Sequence, residues 1–430
     1  MKTLISGGRV IDPANGIDQI LDLLIEDDRI ALVAEKIDCS GIDRTIAARK
    51  MLVCPGFIDM HVHLRDPGLE HKEDIASGTA AAVAGGFTTV ACMPNTKPVV
   101  DNAVIVEYII SKARREGRAN VLPIGSITKG LKGEEISEMG DMKRAGAVGF
   151  SDDGRPVMNS EVMRLAMEYA SMLGLPIFDH CEDMDLAHEG AMNLGAVSTV
   201  LGLKGIPAAA EEIQVARDVL LSRLTGAHVH ICHASTRGSV DIIRWAKSTG
   251  ARVTAEACPH HFSVTDELVR ELRYDTSTKV NPPLRTADDV KAIKQGLKDG
   301  TIDVIATDHA PHHKDDKDVE YTYAASGISG IETAVSLVWT KLVLDGTLPA
   351  SEAVRRLTVA PAMILGIDRG TLGKGKVADV TLVDPEADTI VRPESFVSKG
   401  KNSPFGGFTL RARPYMTIVS GKVQYQAVTA

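Results

Sequence analysis

Aromatic residues make up only 4% of the chain, and no lysines or arginines gather into a run or stripe. Both shortages argue against nucleic acid as a partner, because stacking platforms need aromatic faces and phosphate backbones need clustered cations. The formal charge of −9 points the same way, although a small anionic substrate would feel only the local field of its pocket. No apolar stretch reaches the roughly 18 residues that a membrane span requires. The opening MKTLISGGRVIDPANG carries Gly, Arg and Asp too early for a secretory signal, so the expected compartment is the cytoplasm. None of the six cysteines forms a C-x-x-C pair, which excludes a thiolate zinc knuckle and a disulfide framework. They read as reduced and structural, small hydrophobes in apolar runs. The glycine-bearing turns GGRVIDPANG and GTLGKGKVADV lack the spacing of a phosphate-binding loop.

What the chain does have is a change of texture along its length. The first fifty residues alternate β-prone runs with turns (TLISGGRVID, ILDLLIEDDRIALVAE, RTIAARKMLVC), and the same texture returns in KVADVTLVDP and YMTIVSGKVQYQ. Residues 1–53 and 371–430 are therefore expected to pair into one small β-sandwich. Between them, over residues 54–370, eight short apolar runs alternate with helical segments such as NAVIVEYIISKARREG and SVDIIRWAKSTG. Eight repeats favour an α/β fold closed as a (β/α)8 TIM-type barrel over an open sheet. Nearly every run ends in polar groups: His61 and His63, Asn95, Asp153, His180, His233, His260 and Asp308. Barrels of this kind place their active site at those strand ends.

The pair His61 and His63 occupies positions i and i+2 of the first strand, so both imidazoles face one side. With His180, His233 and a carboxylate at Asp308 on the same rim, the set suits a divalent first-row cation, zinc above others, with positions open for water. Arg65 follows two residues later, and its guanidinium can grip a carboxylate bidentately. A surface ion pair with Asp66 is the plainer alternative. His260 and His261, if adjacent on a strand, face opposite ways and cannot share an ion. The charged stretch Glu70–Asp74 reads as a solvated loop. Residues 312–330 (HHKDDKDVEYTYAASGISG, from His312) read as a long functional loop or lid.

The motifs PGFIDMHVHLRDPG, MPNT, FSDDG, DHCED, CHAS, VNPPLR and TDHAPH, in this order over essentially the whole chain, resemble the amidohydrolase superfamily and specifically its type I dihydroorotases. That resemblance implies one metal on His61, His63 and Asp308, and a second on His180 and His233. Many relatives bridge the two with a carbamylated lysine on strand four. AVGFSDDG has no lysine there, and Asp153 matches the bridging aspartate of the type I group, with Asp152 as its rival. Asn95, His312 and Arg65 then correspond to contacts with the substrate carboxylate, Asn281 to a contact with the ring amide, and Gly327 to a backbone contact with the ring. Ser326 stands where relatives often carry a bulkier apolar residue. The implied activity is zinc-dependent, reversible closure of N-carbamoyl-L-aspartate to L-dihydroorotate in pyrimidine biosynthesis, through a hydroxide shared by two zinc ions with Asp308 as proton shuttle. Allantoinase, hydantoinase or dihydropyrimidinase activity is the enzymatic alternative, and an inactive barrel serving as an assembly partner the non-enzymatic one. A homodimer, and association with aspartate carbamoyltransferase, are the implied assemblies.

Overall fold

A computed structural model describes residues 1–427. The two chain ends join in one eight-stranded sheet. Strands Lys2–Asp12, Ile17–Glu26, Arg29–Ala34, Arg44–Ala47 and Leu52–Pro55 come from the first end, and Val380–Ile390, Thr409–Val419 and Lys422–Gln426 from the other. The seam is antiparallel, with Val380 opposite Pro55 and Val383 opposite Leu52. The expected division at residues 53–54 thus falls inside a strand of this sheet. Strand Lys2–Asp12 forks the sheet: its first half pairs with Arg44–Ala47, and beyond a bulge between Ile5 and Gly8 its second half pairs with Leu52–Pro55. Ile5, Leu23, Ile46 and Val53 meet Leu382 and Ile418 in one apolar cluster, so side chains from both ends share a core.

Between the ends the chain builds a parallel barrel. Phe57–Val62, Phe87–Cys92 and Asn120–Pro123 pair in order, as do Ile177–Asp179, Val229–Ile231, Val253–Ala257 and Val304–Ile305. The fourth run, expected as a strand, is reduced to single bridges from Phe150 to Gly125 and to Ile177. Gly149 explains the tight fit beside it, since a Cβ there would lie 2.3 Å from the Phe178 ring. A bridge from Val62 to His309 closes the ring. Helices Ala103–Glu116, Ser160–Leu173, Arg237–Ser248 and Ala287–Asp299 pack outside, and each begins at a side chain that accepts from its first turn: Asn102, Asn159, Thr236 and Thr286. Fully buried Phe57, Phe87, Phe150 and Phe178 anchor the wall, each burial worth about 2–3 kcal/mol. Among the described residues no helix is long and apolar enough to cross a membrane.

Arg356 is the largest fully buried side chain. Its guanidinium donates to the carbonyls of Ile302 (2.6 Å), Asp303 (3.0 Å) and Leu297, tying the end of helix Ala287–Asp299 to the entry of the last barrel strand. Arg356→Ala leaves these carbonyls unpaired in the interior. It is expected to cost roughly 3–5 kcal/mol, read as a lower denaturant midpoint.

Candidate active site

The barrel geometry carries the polar strand ends to one rim. His61 closes the first strand, while His63, His180, His233 and Asp308 each lie just beyond a strand end. Asp153 sits between them. Its Oδ1 is 3.5 Å from His61 Nε2, 3.7 Å from His180 Nδ1 and 3.8 Å from His233 Nε2, and its Oδ2 is 3.5 Å from His63 Nε2. Asp308 Oδ1 lies 3.0 Å from His63 Nε2 and 3.5 Å from His61 Nε2. All six side chains are buried. Asp152 is elsewhere: it accepts from the backbone N–H of Ile127 (2.8 Å) and Thr128 (3.0 Å) and from the Thr128 hydroxyl.

In each of the trios His61/His63/Asp308 and His61/Asp153/His233, the three ligand-type atoms lie within 4.8 Å of one another. His61 Nε2 and Asp153 Oδ1 are buried without any hydrogen-bond partner. Tetrahedral ligands at zinc distances stand about 3.3–3.6 Å apart, close to the separations found here, so the donor set fits divalent cations. The field agrees. Burial pulls His61 toward its neutral form, but Glu256, Asp153 and Asp308 outweigh it and hold its pKa well above the ordinary value. His180 is likewise lifted to about 10, against its burial, by Asp153 and Glu182. Asp308 and Asp153 are driven well below the carboxylate range by the surrounding imidazoles, despite burial. A dication satisfies these carboxylates instead and takes the imidazole lone pairs.

A cavity of about 230 Å³ opens over this cluster, and Arg65, Asn95, Asn281, His312, Ser326 and Gly327 line it with every member of the cluster except His61. Arg65 is buried and does not pair with Asp66, which is taken by Lys112 at 2.7 Å and by the Tyr108 hydroxyl. Its Nε donates to the Pro311 carbonyl at 3.3 Å, and no carboxylate of the described residues forms an ion pair with it. Asn95 accepts from His63 Nδ1 (2.9 Å) and donates to Asp153 Oδ2 (3.0 Å), so it orients two cluster members while facing the cavity. Asn281 donates to Glu182, leaving its Oδ1 unpartnered. His312 pairs through Nε2 with the Ser326 carbonyl, and burial beside Arg65 lowers its pKa to about 2, so the ring is neutral. Gly327 (φ +148°) has no room for a side chain, since a Cβ would lie 2.7 Å from the Ala310 carbonyl oxygen and 3.0 Å from His312. Arg65, His233 and Asp308 themselves adopt positive φ, at 60°, 31° and 46°. Strain of this kind collects where a site dictates the backbone.

Several orienting residues escape a sequence-level reading. Glu256, fully buried inside strand Val253–Ala257, accepts from His61 Nδ1 (2.5 Å), His230 Nε2 (3.1 Å) and the His233 backbone N–H (3.2 Å). Asp59 accepts from the Thr307 hydroxyl (2.6 Å) and N–H (3.0 Å), lashing the first strand to the last beside Asp308. The available signal in both cases is a lone acidic residue inside an apolar strand. Glu73 corrects the solvated-loop reading: it is fully buried, accepts from the hydroxyls of Ser77 and Ser398, and lies 3.7 Å from His309. His260 and His261 lie on helix Pro259–Ser263, not on a strand, with rings 4.3 Å apart. The segment expected as a lid is pinned. Lys317 donates to the carbonyls of Thr276 (2.9 Å), Lys279 (3.3 Å) and Ala325 (2.6 Å), and Asn402 donates to those of Ala310 and Gly327.

Comparison with known proteins agrees with this geometry. Residues 50–239 match the sequence model of the dihydro-orotase-like family. The chain is 56% identical to a dihydroorotase of Pelotomaculum thermopropionicum, over 99% of each, and 55% identical to one of Geobacter metallireducens, over 99% of this chain and all of that one. Among solved structures, the L-hydantoinase of Arthrobacter aurescens superposes with a TM-score of 0.89 at 24% identity, covering 99% of this chain and 97% of that one. The dihydropyrimidinase of Brevibacillus agri superposes at 0.85 and 20% identity, covering 98% and 95%. At those identities the likeness speaks for the fold, a barrel joined to a β-sandwich, whereas the full-length sequence matches place the chain in the dihydroorotase family.

Proposed function

We propose that the chain interconverts L-dihydroorotate and N-carbamoyl-L-aspartate, and that the residues of the rim divide the work. The observation that carries the reading is Arg65: a buried guanidinium without a carboxylate of its own, on the wall of a cavity floored by the His/Asp cluster. A desolvated cation of this kind calls for an anion from outside, and the exocyclic carboxylate of dihydroorotate supplies it. Rings without that carboxylate, such as hydantoins, dihydrouracil and allantoin, leave Arg65 unmatched, which disfavours the alternative activities. His312 stands beside Arg65 with its Nε2–H given to the Ser326 carbonyl, and Asn95 turns its amide N–H groups to Asp153, so both shape the wall around Arg65, while Asn281 Oδ1 can accept from a ring N–H.

His61, His63 and Asp308 would hold one divalent cation and His180 and His233 a second, with Asp153 between; zinc suits the donor set, and such a pair would acidify the attacking water and polarise the ring carbonyl. Asp308 is anionic and faces the cavity, placed to take a proton from that water as the oxygen–carbon bond forms. It then delivers the proton to the amide nitrogen as the ring carbon–nitrogen bond breaks. Run in reverse, the same carboxylate takes the proton from the carbamoyl nitrogen as the ring closes. Asp59, Glu256 and Asn95 keep Asp308, His61 and His63 in register for this transfer. Residence in the cytoplasm, a place in pyrimidine biosynthesis, a symmetric dimer and docking with aspartate carbamoyltransferase belong to the same proposal. Size measurement with and without that enzyme tests the last two.

Purified chain supplied with zinc is expected to interconvert the two compounds, followed by loss of the ring amide absorbance; no conversion in either direction would refute the reading. Arg65→Ala should lower kcat/KM for dihydroorotate by about 2–5 kcal/mol equivalent while leaving zinc content unchanged. Asp153→Ala and Asp152→Ala separate the two aspartates. The first should lose bound zinc and, with it, the rise in melting temperature that zinc gives the wild type. The second should keep zinc and lose roughly 1–3 kcal/mol of stability, because three buried donors lose their acceptor. Metal analysis and thermal melts of the pair check this.

A further inference from the structure

Glu182 lies two residues beyond His180, is buried, and touches two groups with different tasks. Its Oε2 is 3.2 Å from His180 Nε2 and 2.9 Å from Asn281 Nδ2. His180 turns its other nitrogen inward, with Nδ1 2.9 Å from His233 Nε2 and 3.7 Å from Asp153. That nitrogen can offer a lone pair to a cation only while the ring proton sits on Nε2, and Glu182 is the acceptor that keeps it there. Asn281 presents its amide N–H₂ to the same carboxylate oxygen. The alternative orientation would set the Oδ1 of Asn281 against a carboxylate, so Glu182 also decides which end of the amide remains for the cavity. The end that remains is Oδ1, buried and unpartnered, an acceptor suited to a ring N–H.

We propose that Glu182 is a positioning residue that couples cation binding at His180 to recognition of the ring amide at Asn281 through one shared carboxylate oxygen. The inference rests on the dihydroorotase reading above. It gives the D-H-C-E-D motif a second purpose, since its glutamate carries orientation from the cation-binding floor to the wall where the substrate ring lies. Glu182 also lines a smaller neighbouring cavity of about 150 Å³ that shares Asn281 and Ser326 with the main one, so the carboxylate stands at the junction of the two spaces.

The test uses Glu182→Gln and Glu182→Asp in the full chain, with Asn281→Ala alone and combined with Glu182→Gln. Two quantities are read: cation retention during dialysis against graded chelator, and KM and kcat for dihydroorotate. Glu182→Gln should weaken cation retention about 10–100-fold, because a neutral acceptor polarises the imidazole less. It should also raise KM, and adding Asn281→Ala to it should raise KM little further. Glu182→Asp, which keeps the charge, should recover part of the retention. An active wild-type enzyme whose Glu182→Gln variant retains its cations and its KM would overturn the coupling alone. So would KM effects of Glu182→Gln and Asn281→Ala that multiply independently. A wild-type chain that retains cations and does not turn over dihydroorotate would overturn the functional reading instead.

Discussion

Carboxylates and imidazoles packed within 4 Å of each other, almost wholly buried at the floor of a cavity, form the constraint that governs this molecule. Asp153 and Asp308 are buried among four histidines, and two atoms of the cluster find no internal partner. Burying charge is costly, so the carboxylates of this cluster need positive partners, which the surrounding imidazoles can supply when protonated and divalent cations would supply in their place. The rest of the site serves that arrangement. Glu256, Asp59, Asn95 and Glu182 each spend a polar atom on holding a cluster member or its neighbour, and left-handed backbone at His233 and Asp308 turns two of them inward.

A second layer of order comes from cross-ties between the loops above the rim. Lys317 threads its ammonium into carbonyls of two separate segments, and Asn402, from the C-terminal part of the chain, bridges Ala310 to Gly327. Loops that line the cavity are thereby fixed relative to the barrel, which reduces the ordering entropy any ligand of that cavity would lose on binding.

The sequence exposes the parts of this design that repeat or cluster along the chain. Alternating strands and helices, polar residues at strand ends and the His61/His63 pair are local patterns, and the fold and the rim could be read from them. Partnerships between distant residues leave no such trace. Glu256 meets His61 across 195 positions, and Glu73 meets Ser398 across 325; a lone acid in an apolar strand marks the first as unusual without naming its partner, and the charged run around the second hides it altogether. Asp152 and Asp153 are chemically identical neighbours, separated only by which way the backbone turns after Phe150. His260 and His261 mislead for the opposite reason, because a run that begins as a strand breaks into a helix one residue earlier, at Pro259.

The seam between Leu52–Pro55 and Val380–Val383 has a consequence for how the chain comes into being. On a ribosome the first strands emerge roughly 300 residues before their partner, which at about 5–20 residues per second leaves their edge bare for tens of seconds. Strand Leu52–Pro55 runs directly into the strand that bears His61. The nascent chain therefore carries His61 and His63 directly after the edge of an unfinished sheet until translation is nearly over, and the last-made strands act as the clasp that shuts the molecule.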